Sequence, residues 1–406
     1  MTTLTHTLSN GLRIIHLPTN SQVAYCGFAV NAGARDEQTH EHGLAHFVEH
    51  TLFKGTRKRK AWHILNRMEN VGGELNAYTS KESTFIYAIF MDKDFKRAVE
   101  LMSDLIINSQ FPENELKKEC EVIIDEIQSY EDSPSELIFD DFENLLFDGH
   151  PLGHHILGKK STLKSFDTGN GKSFLEHFYV AENMVFFSMS QHDFKQILKI
   201  AEHYLMQIPS RKTPILREKP PVVLPQHIQK KKQTHLSHVI IGGRTYDMYD
   251  KNRYPLFLLN NIVGGPGMNS RLNVLLREKN GLVYQIESNI TSYTDTGVFT
   301  IYFGTDPKNR ERAISLVEKE IASLRSNKLT TTRLAAAKKQ AIGQLGIAGD
   351  NKESLFLGLG KSFLHYNRYE TLPEVIAKIE QITAEQILET ANEILYPNKI
   401  FRLIYE

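Results

Sequence analysis

Cysteine is nearly absent: Cys26 and Cys120 are the only two in 406 residues. They cannot build a disulfide framework, and such sparse use suits a reducing compartment. Neither sign of charge is in excess, because 48 Lys and Arg balance 48 Asp and Glu. That excludes the strongly basic footprint of a protein that grips nucleic acid or an anionic membrane. No apolar stretch approaches the roughly 18–20 residues of a membrane span. The opening MTTLTHTLSNGLRIIHLP has no basic segment followed by an apolar run. No secretory signal is therefore expected, and the cytoplasm is the expected location. What remains is an ordinary globular balance, 41% hydrophobic and 24% charged. It rules out disorder and collagen-like structure. At about 100–200 residues per domain, the length suggests two or three domains.

Local patterns give an alternation of strands and helices. Asn10-Gly11 between strand-like runs 5–8 and 12–17 predicts a two-residue hairpin of type I′. Residues 23–31 and 83–91 read as strands, and 95–107 and 113–130 as helices with apolar residues three and four apart. Thr39 is placed to cap a helix running to about Lys54, with Gly55 as its stop. The stretch PSRKTPILREKPPVVLPQHIQKKK (209–232) breaks both periodicities and reads as an extended linker. Lys230–Lys232 at its end reads as a solvated patch. Beyond it the pattern restarts. TFIYAIFMD followed by FKRAVELMSDLI has a counterpart in VFTIYFGTD followed by RERAISLVEKEI. The chain thus reads as two diverged copies of one α+β unit. Residues 1–210 form an N-terminal domain, 211–232 the linker and 233–406 a homologous C-terminal domain.

One short run carries chemistry. In His46-Phe47-Val48-Glu49-His50, the two histidines fall about 40° apart around a helix with 3.6 residues per turn. Glu49 lies beside them, and Leu44, Phe47, Val48 and Leu52 take the opposite arc. Two imidazoles so placed can grip one metal ion, but a catalytic zinc takes three protein ligands. The helix at 113–130 offers Glu119 and Glu126, seven residues apart and so on nearly one face. Its apolar stripe is Leu116, Cys120, Ile123 and Ile127. Two other clusters have plainer readings. Gly264–Gly267 lacks the Lys-Ser/Thr of a phosphate loop and reads as a tight turn. His150, His154 and His155 read as loop histidines, with a second metal site as the alternative.

The segments AGARDEQTHEHGLAHFVEHTLFKGT (32–56), GGELNAYTSKESTFIYA (72–88), KKECEVIIDEI (117–127) and GGPGMNSRLNVLLREKNGLVYQIES (264–288) together resemble the pitrilysin/insulinase family. These are zinc metallopeptidases with the inverted HxxEH motif. The length is similar to that of the short two-domain members related to the mitochondrial processing peptidase. The resemblance implies two homologous α/β-sandwich domains, each a mostly antiparallel sheet with helices packed on it. It implies one Zn2+ per chain on His46, His50 and Glu126, with Glu49 as general base and Glu119 supporting a ligand or the base. It also implies that Arg277 and Tyr284 contact the substrate carbonyl from the second domain. Asn76 and Ala77 would sit on an edge strand that pairs with an extended peptide.

The function implied is zinc-dependent endopeptidase action on peptides or unfolded segments inside a clamshell chamber, with a homodimer as the active assembly. The alternative is a non-catalytic or partner-dependent structural subunit of the same family. The retention of His46, Glu49, His50 and Glu126 speaks against it.

Overall fold

The computed structural model describes residues 2–232 and 234–406. Positions 1 and 233, where two of the expected domain boundaries fall, lie outside the described residues. The chain divides into two compact units. The first takes the chain up to Ile127, His154–Arg217 and Gly349–Thr371. The second takes Gln128–Gly153, Glu218–Ala348 and the chain from Leu372 onward.

The first unit is built on a six-stranded sheet of β1 (Leu4–Thr7), β2 (Arg13–Pro18), β3 (Val23–Val30), β4 (Glu74–Thr79), β5 (Thr84–Met91) and β6 (Met184–Ser190). Their spatial order is β1-β2-β6-β3-β5-β4, and only β2 and β6 run parallel. The second unit has β7 (His227–Lys230), β8 (Ser237–Thr245), β9 (Val283–Ser292), β10 (Gly297–Thr305) and β11 (Phe401–Tyr405) in the order β7-β11-β8-β10-β9. Here only β7 and β11 are parallel. Without β1 the two orders superpose strand for strand, so the internal repeat is one of topology. Each copy also passes from its strand through a 3₁₀ turn at Asp92–Asp94 or Pro307–Asn309 directly into a helix.

Helices α1 (Leu44–Leu52), α2 (Ala61–Glu69), α3 (Phe95–Asn108), α4 (Glu113–Glu131), α5 (Pro134–Leu146), α6 (Lys160–Leu163), α7 (Thr168–Phe178) and α8 (Phe194–Leu205) precede the linker. After it come α9 (Arg253–Gly264), a π-helical turn at Asn273–Glu278, α10 (Arg310–Ser326), α11 (Thr331–Ala348), α12 (Lys352–Tyr366), α13 (Leu372–Gln381) and α14 (Ala384–Ile394).

Both faces of each sheet are buried, with successive side chains serving opposite cores. Along β3, Ala24, Cys26, Phe28 and Val30 join the main core of the first unit, while Tyr25 and Ala29 join a second cluster on the other face. That second face is covered by α12, whose Phe356, Leu359 and Phe363 meet Phe85 and Phe187. Gly360 lets the helix close in, because a Cβ there would come within 2.8 Å of the Phe187 ring. The second unit shows the converse. Leu137, Ile138, Phe142 and Leu146 of α5 cover Ile240, Tyr302 and Leu403. Each unit therefore takes one helix from the far side of the linker. The expected boundaries at 210 and 233 divide the chain differently, because sequence periodicity shows an apolar second face but not which helix covers it.

Three local readings differ as well. The β1–β2 hairpin forms, but only Gly11 in its turn has positive φ. Leu8 and Leu12 close a longer loop, and Asn10 instead caps carbonyls of Leu205 and Ile208. Thr39 starts a separate 3₁₀ turn, and α1 begins only after Gly43, at φ +99°. The linker has no regular element until β7, which adds to the sheet edge beside β11. In β7, Lys230 pairs with Asp141 at 2.6 Å.

Phe356 is fully buried and stacks on Phe187 with ring centroids 4.3 Å apart. Phe356→Ala should destabilise the protein by about 3–5 kcal/mol, the usual range for such a cavity. A lowered urea midpoint with far-UV circular dichroism unchanged before the transition would show it.

Candidate metal centre

Nine residues are too few for a helix to persist alone, so α1 depends on its packed face. Leu44, Ala45, Phe47, Val48, Thr51 and Leu52 are buried, and Phe47 lies against Phe166. That fixes His46, Glu49 and His50 on the remaining arc. Helix α4 is anchored by Leu116, Cys120, Ile123 and Ile127, the apolar stripe read from its sequence. The same anchoring turns Glu119 and Glu126 toward α1.

The three expected ligands converge. Glu126 Oε2 lies 3.8 Å from His46 Nε2 and 3.6 Å from His50 Nε2. One donor atom from each residue falls within 4.8 Å of the other two, and this is the one such group among the described residues. Tetrahedral zinc with bonds of about 2.0–2.1 Å would separate its ligand atoms by about 3.3–3.4 Å, a few tenths of an ångström closer. Burial, and then the neighbouring His50, pushes His46 down to about 3. The ring is therefore neutral at physiological pH, the form that binds metal. Two imidazoles and a carboxylate are a known donor set for an open, catalytic zinc, so the residues fit that ion.

A further layer orients them. Glu119 is buried, with Oε2 3.3 Å from His50 Nδ1 and Oε1 2.8 Å from Lys54 Nζ. A hydrogen bond from Nδ1–H to this carboxylate would leave the His50 Nε2 lone pair facing Glu126. Glu49 points its Oε2 into a buried position with no hydrogen-bond partner among the described residues. Burial raises its carboxyl above the usual range, while Thr79 and His50 pull it down. Lys54 and Thr79 lie inside segments that carry the family resemblance, but spacing alone does not single them out; folding brings them here.

The remaining expected residues occupy distinct places. Asn76 and Ala77 lie half-buried on β4, the edge of the first sheet, opposite Tyr87 and Ile86 of β5. The other side of β4 is thus open to pairing. Arg277 and Tyr284 line a cavity of about 470 Å³ in the second unit. Tyr284 is 88% exposed, and the Arg277 guanidinium sits 5.9 Å from its ring centroid. Register slips between Phe303 and Thr305 of β10, so Tyr284 and Gln285 both face Gly304. That bulge turns Tyr284 outward, as bulges beside functional sites do. The sequence marked Tyr284 but not the bulge. His150, His154 and His155 do not form a donor group: His150 Nε2 lies 3.0 Å from the Glu218 carbonyl in the second unit, whereas His154 belongs to the first.

Glu119→Gln should weaken zinc affinity by roughly 10–100-fold, the usual cost of losing an outer partner of a ligating histidine. Competition with a chromophoric chelator would measure it; an unchanged affinity would show that the Glu119 contact does not orient His50.

Comparison with known proteins agrees with this geometry. Residues 14–160 match the insulinase family, peptidase family M16, and residues 171–341 match the peptidase M16 inactive domain. The second match lies beyond His46, His50 and Glu126, the three expected ligands. The chain is 31% identical over 401 residues to the uncharacterized zinc protease YmxG of Bacillus subtilis, covering 98% of this chain and 97% of that protein. It is 32% identical over 406 residues to an uncharacterized zinc protease of Rickettsia felis, covering 95% and 93%. Two solved structures share the fold at 19% identity. A peptidase M16 inactive domain from Pseudomonas fluorescens aligns over 100% of this chain and 98% of its own with a TM-score of 0.92. A protease from Helicobacter pylori aligns over 100% and 99% with a TM-score of 0.90. With the inverted motif on α1 and matches spanning both halves, the chain belongs to the insulinase family, peptidase family M16.

Proposed function

We propose that this protein is a zinc-dependent endopeptidase that hydrolyses peptides or unfolded segments. One observation carries the reading: three metal donors converge beside a buried carboxylate oxygen, on Glu49, that has no other partner among the described residues. His46, His50 and Glu126 would hold zinc, and the ion would supply Lewis acidity toward a carbonyl and a water. Glu49 takes the proton from the attacking water and gives it to the nitrogen of the leaving amine, so the scissile C–N bond breaks without a net proton change. Tyr284 and Arg277 donate to the carbonyl oxygen as negative charge develops. The open edge of β4, at Asn76 and Ala77, holds an extended substrate through its main chain, which tolerates varied sequences. The family resemblance further supports a homodimer whose domains enclose the substrate in a chamber.

Digestion of a peptide library with and without chelator, read by mass spectrometry, tests the activity. Chelator-sensitive cleavage is expected, and well-folded, zinc-supplied protein that cuts nothing would sink the reading. Glu49→Gln should keep about one zinc per chain by elemental analysis yet lose at least about 10²-fold in turnover. Wild-type cleavage by that variant would remove Glu49 as the base. Tyr284→Phe should leave zinc content alone and lower kcat about 10²-fold, because it deletes one donor to the developing oxyanion. A parental kcat there would mean that the second unit does not contact the scissile carbonyl.

A further inference from the structure

Helix α1 has no cap of its own. Its N-cap residue is Gly43, which has no side chain, and no acid stands in its first turn. The missing acceptor comes from Glu37. Its Oε2 accepts from the Gly43 amide at 2.9 Å and its Oε1 from the Ala45 amide at 2.7 Å. His154 Nε2 lies 3.0 Å from the same Oε2. The His154 ring is stacked on His42 with centroids 3.9 Å apart, and Lys81 donates to the His154 carbonyl.

Glu37 is only 5% exposed. A carboxylate this deep is costly unless polar groups surround it, and here two backbone N–H groups at the positive end of a helix and a ring nitrogen of His154 meet its two oxygens. Burial drives its carboxyl well up, and the Ala45 and Gly43 amides pull it back. Burial also takes His154 down to about 3, so its ring is neutral with a single N–H to give. The backbone is confined as well. A Cβ on Gly43 would come within 2.9 Å of the Gly158 Cα, and Thr162 Oγ1 donates to the His42 carbonyl at 2.6 Å. An exposed Ser or Asp at position 43 would satisfy an ordinary helix start. The buried arrangement instead ties the residue directly before His46 to a loop far along the chain.

We infer that Glu37 is a positioning residue for the metal centre: held by His154, its carboxylate fixes the first turn of α1 so that His46 and His50 meet Glu126 at ligating distance. The inference rests on the metal-site reading above. It adds a role for His154 that is not that of a ligand.

Glu37→Gln tests it, since the amide keeps the shape but turns one acceptor into a donor facing other donors. Three quantities decide the matter: zinc affinity by chelator competition, the visible spectrum of the Co2+-loaded protein, and the melting midpoint of the metal-free protein. A folded variant with at least tenfold weaker zinc binding and a shifted Co2+ spectrum is expected. A lower melting point with wild-type affinity and spectrum would reduce Glu37 to an ordinary cap and overturn the inference. If Glu37→Gln does not fold, His154→Gln takes its place. There, a several-fold loss of zinc affinity with a shifted spectrum supports the inference, and wild-type values overturn it. Wild-type protein that takes up no zinc would overturn the metal-site reading itself.

Discussion

The site depends on the packing of α1 and α4 against one apolar core. Neither helix carries the donor set alone: α1 has two imidazoles and the Glu49 carboxyl, and α4 has two carboxylates. Phe47, Val48 and Leu52 on one side and Leu116, Cys120 and Ile123 on the other sink into the same cluster. Burying several such side chains, at about 1.5–3 kcal/mol each, outweighs the cost of bringing partly desolvated polar groups together. The strain is visible in the chemistry. His46 loses basicity, Glu49 gains it, and atoms of both stand without partners among the described residues. Such an arrangement suits an ion that accepts lone pairs.

Much of the fold was legible because alternation and helical periodicity are local. The extents of β3, α3 and α4 came within a residue or two, and the doubled order of elements emerged as a matching sheet order. The exchange of α5 and α12 between the units was not legible. Both helices have an apolar face, but such a face specifies burial and not a partner. The turn at Asn10-Gly11 departs from type I′ for a related reason. Its side chain found carbonyls at Leu205 and Ile208, and those long-range bonds favour a loop that the dipeptide alone does not.

At the site, His46, His50 and Glu126 were legible as expected ligands through spacing and family resemblance, and the structure brings their donor atoms together. Their supports were not. Lys54, just past the end of α1, meets Glu119 from another helix, and Glu37 acts over a separation longer than any capping motif. The outward turn of Tyr284 comes from a one-residue slip between two strands, a property of pairing that neither strand's sequence contains.

The exchanged helix α12 has a consequence for the order of events during synthesis. When the ribosome has finished α8, the strands of the first unit and His46, Glu49, His50 and Glu126 already exist, but one face of its sheet still exposes Phe85, Val185 and Phe187. Their cover lies near the end of the chain. At about 5–20 residues per second, its arrival takes on the order of ten to thirty seconds. A nascent chain therefore cannot complete the unit that holds His46, His50 and Glu126 until α12 has been made. A product cut short before Lys352 would carry the HxxEH motif on a sheet left open on one side.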